Sequence, residues 1–240
     1  MTRTFLLRGM LVGIVAGLIV FAFARVVGEP QVERAIAFEA GMDQARGEAP
    51  EPEMVSRKLQ RGFGLLTGTL VYGAAIGGLF GLVFAYAYGR SPVTDPRALA
   101  ALLAAIGFVT IVLVPTLKYP ANPPAVGNAE TIGVRTGAYF LLIASSLAAM
   151  VLSMKAGRYL SRRYGAWNGY LLAAALYVVI VSAVSRWMPE IDEVPAGFPV
   201  TLMWKFRVAS LEIQVVLWAA LGLLFGWLTE RDLNSSRTAA

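Results

Sequence analysis

Six stretches of this chain are apolar enough and long enough to cross a bilayer. A span needs about 20 apolar residues, at a rise of 1.5 Å each, to cover roughly 30 Å of hydrocarbon. The runs are Phe5–Val27, Phe63–Tyr88, Ala98–Leu117, Thr136–Met154, Ala166–Ser185 and Val208–Leu228. They take up more than half of the 240 residues, so no separate soluble domain fits. The composition agrees: 57% hydrophobic and 15% charged, against about 25% charged in ordinary soluble chains. These runs predict an all-α, polytopic helical membrane protein, a single membrane domain over residues 1–240 with an outer loop at 28–62. The first run has Arg3 and Arg8 ahead of an apolar core, as a signal peptide would. It ends in Phe23–Val27 without a small-residue cleavage site, so it is expected to stay as a span.

The chain contains no histidine and no cysteine. Disulfides are excluded, and with them any redox reading of the compartment. The two commonest soft-metal ligands and most nucleophile and base chemistry go as well. No phosphate-cradling loop with Lys-Ser/Thr is present, so nothing points to an ATPase. An enzyme is not expected, nor a bound cofactor. The net charge of +6 does not indicate nucleic acid, because the positive residues gather at span ends, where they set topology. Lys and Arg divide almost evenly between the two sides of six spans. The densest cluster, Lys155–Arg163, falls in one even connection, and Arg90 and Arg97 fall in the other. This places the even connections and both termini in the cytoplasm of a bacterial-type inner membrane.

The odd connections share a layout. Each leaves a span near Pro30, Pro115 or Pro189 and returns through Arg61, Arg135 or Arg207, spaced 74 and 72 residues apart. The layout fits three tandem two-span hairpins, a usual trace of internal duplication. It equally fits six evenly spaced spans without duplication. In the first outer loop, Pro30 is suited to open a short helix over Gln31–Gly41 with Val32, Ile36 and Phe38 on one side. Gly47–Pro52 reads as an acidic spacer, and Pro52 as the start of a helix running into span two.

Glycine recurs every fourth residue at Gly9, Gly13 and Gly17, and again at Gly73, Gly77 and Gly81. Such spacing puts the glycines on one face and lets another backbone approach closely. The expected contact is span one against span two or against a partner helix. Glu212 is the one carboxylate placed inside a span, with Gln214 nearby. An ionised group there is costly unless paired or wet. Glu212 reads as a cation ligand or proton-coupling group, or as the partner of Arg207 or Lys205. Arg61, Arg135 and Arg207 oppose the dipoles of the helices they open. They can tie the outer loops to Glu29, Glu33, Glu130, Asp192 or Glu193, or reach headgroup phosphates. The outer acids, nearest in spacing at Glu29/Glu33 and Asp192/Glu193, are candidate oxygen ligands for a hard divalent ion, or a solvated loop face. Trp167, Trp187, Trp204, Trp227, Tyr88, Tyr119 and Tyr164 fall near span ends, as interface belts do.

Over nearly its whole length the chain resembles the CbtA family. The resemblance is carried by Arg8–Gly17, Ala22–Phe38, Leu70–Arg90 ending VFAYAYGR, Val114–Gly127 (VPTLKYPANPPAVG), Asp192–Pro199 (DEVPAGFP) and Trp204–Glu212 (WKFRVASLE). It implies the membrane subunit of a cobalt transporter, with about five spans and a small one-span companion, CbtB, whose terminal histidines bind metal. Many relatives carry histidine near the third span, where this chain has Pro115–Pro124 and none. Imidazole coordination by this chain is therefore unavailable. The resulting expectation is a divalent-metal (cobalt) transporter subunit in the lipid bilayer, carrying Co2+ with a CbtB-like companion. Candidate ligands are Glu212, Gln214, Glu33, Asp192 and Glu193. A homo-oligomer is compatible with the same glycine faces. The rival reading is a non-transporting membrane scaffold or assembly protein.

Overall fold

A computed structural model of the chain describes residues 1–47 and 55–238; the acidic spacer's Glu48–Pro52 and the expected helix start at Pro52 lie outside them. The chain is 84% helical with no strands among the described residues. The long helices among the described residues are α1 (Thr2–Val27), α2 (Glu29–Arg46), α3 (Arg57–Ala87), α4 (Pro96–Lys118), α5 (Ile132–Tyr164), α6 (Ala166–Trp187) and α7 (Val200–Thr238). Six of them, all but α2, coincide with the six apolar runs and are long enough to cross a membrane. Most run past the apolar core into polar sequence. The basic stretch Lys155–Tyr164, expected as a connection, is the last part of α5. What joins α5 to α6 is Gly165 alone, at φ +82°, a conformation that a side chain would strain.

Two compact units are present. The first takes α1, α2, α3, the first half of α4 and α7. Its spine is the antiparallel pair α1/α3, whose glycines face each other as the spacing predicts. A Cβ at Gly9 would lie 2.0 Å from the Gly77 carbonyl oxygen, one at Gly13 2.0 Å from that of Gly73, and one at Gly17 2.5 Å from that of Thr69. Each step of four up one helix is met by a step of four down the other. Gly81 continues the seam against the Phe5 backbone at 2.2 Å. No side chain fits between these backbones, and close approach of this kind carries dispersion and weak Cα–H···O contacts. Gly68 faces open space and plays no part in the seam.

A second seam joins α4 to α7. Gly222 sits on Ala104, whose Cβ would be 2.6 Å from an added methyl, and Gly226 lies 3.0 Å from the Arg97 Cα on the same measure. Gly107 leaves the space that the Trp218 ring fills. At the end of the unit that carries the N-terminus, Phe5, Phe80, Phe84 and Phe225 interlock edge-to-face or tilted, with Phe84–Phe225 centroids 4.9 Å apart. Arg8 pairs with Asp232 and donates to the Thr229 hydroxyl, and Arg97 meets Glu230 at 2.5 Å. The beginning of α1 and the end of α7 therefore lie on one side.

The second unit holds the rest of α4, with α5 and α6. Its core is Leu142, Ala149 and Tyr177 with Val114, Tyr119, Ala138 and Met188. The Ser146 and Tyr177 hydroxyls share a buried 2.8 Å hydrogen bond between α5 and α6. The long helix pairings are thus spans one with two, three with six, and four with five. The first is the hairpin the repeat suggests; the other two cut across it. Within α4 the residues Phe108–Leu113 adopt a π-helical turn. Pro115 explains it: proline has no N–H to give the carbonyl four residues back, so the ladder slips in the preceding turn.

If the α1/α3 seam holds this unit together, Gly13→Ala and Gly77→Ala should each lower stability in detergent by about 1–3 kcal/mol, the usual range for overpacking. Gly68→Ala should leave the melting temperature unchanged or slightly raised, since it only removes backbone freedom. Equal melting for all three variants would mean that the glycine face is not a contact.

Candidate functional site

The five candidate ligands have different surroundings. Glu33, on α2, meets Arg61 at 2.6 Å, both half-exposed. One turn earlier Glu29, nearly buried, meets Arg57 at 2.5 Å. Arg25 completes this group by donating to the Arg61 carbonyl at 3.1 Å. The Arg61–Glu33 tie is one of those expected. The role of Arg57 was not singled out, although it sits one turn before Arg61 and so shares its face. The short helix expected after Pro30 is real and longer, running to Arg46, with Ala35 buried and Val32, Ile36 and Phe38 half-buried.

In the second unit Glu193 ties the segment after α6 to the start of α5. Its side chain is 7% exposed and pairs with Arg135 at the start of α5, while the Thr131 hydroxyl donates to its other oxygen. Gly127, at φ +134°, packs the loop onto this pair; a Cβ there would lie 2.8 Å from the Arg135 guanidinium. Asp192 next door is exposed and accepts from the Val194 N–H at 3.3 Å, a local turn contact. Tyr119, expected in an interface belt, is instead buried, and its hydroxyl donates to the Pro189 carbonyl at 2.8 Å. The Pro-rich loop folds back and carries the ring inward. Burial pushes this phenol above its ordinary pKa, so it remains a neutral donor. Trp167, Trp187, Trp204 and Trp227 stay exposed near helix ends, where a belt places them.

Glu212 stands apart. It is exposed on α7, and no hydrogen bond or ion pair holds it among the described residues. Arg207 is five residues away, about 140° around the helix, so its side chain leaves from another face. Gln214 lies on nearly the opposite face from Glu212. Its amide bonds the Tyr72 hydroxyl of α3 while its carbonyl oxygen is buried without a partner. No group of three or more acids gathers as a metal cage among the described residues. Glu33 and Glu193, each held by arginine, and the solvent-facing Asp192 do not meet Glu212.

The helices and the paired charges at their ends define a multi-pass membrane protein. The chain belongs to the CbtA family, described as a probable cobalt transporter subunit, which it matches over residues 2–230. No curated protein and no solved structure matches it.

The Glu193 pair gives a direct stability test. Glu193→Gln leaves Arg135 beside a neutral amide and should cost roughly 3 kcal/mol, the low end for breaking a buried pair. Replacing both as Arg135→Met/Glu193→Leu should recover much of it. The Arg186–Glu190 pair is 82% exposed on both sides, so Glu190→Gln should change stability by less than about 1 kcal/mol. Thermal unfolding in detergent reads all three; a small loss for Glu193→Gln would make the pair decorative.

Proposed function

We propose that this chain is the membrane subunit of a cobalt transporter in a bacterial-type cytoplasmic membrane, with both termini in the cytoplasm. It works as a carrier component rather than an enzyme, with a small one-span companion that brings most of the metal's ligands. The observation that supports this reading is the state of the acids. Imidazole and thiolate are the donors that suit borderline transition ions, and this chain has neither. Its outer carboxylates Glu29, Glu33 and Glu193 are neutralised by arginine. Glu212 is left as a carboxylate within a span that no cation among the described residues holds. A lone carboxylate offers one or two oxygens, so the remaining donors come from another chain or from water. Gln214 is a weaker candidate, because its amide already engages Tyr72.

Uptake of radiolabelled Co2+ by cells with and without this gene tests the reading. Glu212→Gln should cut uptake about tenfold or more, a change of ~1.4 kcal/mol or greater, at unchanged protein level. Glu33→Gln and Asp192→Asn should retain most of it. Full uptake in Glu212→Gln would remove the ligand role. No uptake that depends on the gene would remove the transport role.

A further inference from the structure

A groove of about 290 Å³ runs along the seam between α4 and α7. Its walls are small or apolar, including Ala101, Ala105, Val215, Ala219 and Leu223. Val215 and Leu223 are 47% and 67% exposed, and Ala101, Ala105 and Ala219 are exposed as well. Small residues on a membrane-facing surface let a second helix approach closely. Glu212, Val215, Ala219 and Leu223 are spaced i, i+3, i+7 and i+11, so they share one face of α7. The unpaired carboxylate therefore stands at the head of the groove, at one end of the same stripe. Trp218 lines the groove too, and its indole N–H is buried without a partner, where a buried indole usually finds one. The six-membered edge of that ring packs toward Gly107, so the pyrrole edge that carries the N–H lies on the side away from Gly107.

We propose that this groove seats a transmembrane helix of the partner subunit, and that this helix completes a divalent-cation site at Glu212. The proposal rests on the reading that the chain is a transporter subunit. The charge at Glu212 selects the occupant. A lipid acyl chain would leave the carboxylate in hydrocarbon with nothing to balance it. A second copy related by a two-fold axis along the membrane normal would add only another carboxylate, without the imidazole or thiolate that a borderline transition ion favours and that this chain lacks. A helix of another chain can bring a metal-ligating side chain to the depth of Glu212. The cation then lies between the two subunits, bound by Glu212 from one side and by the partner's donors from the other. This arrangement also accounts for the lack of a complete cage among the described residues of this chain.

The full chain, in its host membranes, would carry a photo-crosslinking amino acid in place of the large, exposed Leu223 at the groove's edge, and the adduct would be identified by mass. The expected adduct is an apolar single-span segment of another protein with a metal-ligating side chain at the depth of Glu212. Ala219→Trp or Ala105→Trp, which fill the groove from exposed positions, should abolish both the adduct and uptake of radiolabelled Co2+ without lowering the melting temperature. Glu212→Gln should keep the adduct and lose uptake. An adduct to lipid alone or to a second copy, or normal uptake in both tryptophan variants, would overturn the docking proposal while leaving the transport reading intact. A wild-type chain that forms the adduct but supports no Co2+ uptake would overturn the cation site and the transport reading together.

Discussion

In hydrocarbon, two apolar helix faces gain little by leaving lipid for each other, so association depends on how closely backbones can come. The first unit is built on that constraint. Gly9, Gly13 and Gly17 bring α1 against Gly73, Gly77 and Thr69 of α3 at distances that admit no Cβ. The helices meet so tightly that their ends are fixed in register. That register sets Arg57 beside Glu29 and Arg61 beside Glu33 at one end. At the other it brings Phe5 and Phe84 together beneath Tyr88. The smaller seam of Gly222 and Gly226 against α4 follows the same rule, and it shapes the walls of the groove below Glu212.

Charge is the second constraint. Cations at the start of membrane helices oppose the dipole, and each of Arg57, Arg61 and Arg135 has a carboxylate on a neighbouring segment. These pairs tie the connecting segments together and occupy acids that would otherwise be free to attract a metal ion. The most buried of them, Glu193, has three neighbours: Arg135, Thr131 and the close backbone of Gly127. It is structural on this geometry. Glu212 follows none of this pattern, which is why it carries the functional reading.

The spans were legible because hydrophobicity over some 20 residues is a strong signal. The α1/α3 seam was legible because i, i+4 glycines leave a visible spacing. The set of arginines and acids that tie the outer loops was legible in kind, though Arg57 was passed over. Pairing of span three with span six was missed. Its signal is present as Gly222 and Gly226, again four apart, but nothing local says which helix they meet. The inward turn of Tyr119 was also out of reach. An aromatic at a span end reads as a belt residue, and only the folded loop brings the Pro189 carbonyl to its hydroxyl. The exposure of Glu212 could be read only from the packed helices, since its face depends on which neighbours α7 has.

If Glu212 contributes to a cation site that another subunit completes, equilibrium dialysis with Co2+ reads it directly, using the purified chain in detergent alone and then together with the proposed one-span companion. The chain alone should show no stoichiometric, saturable binding, and the complex should hold one ion that disappears with Glu212→Gln. Tight one-to-one binding by the chain alone, unchanged in Glu212→Gln, would contradict it.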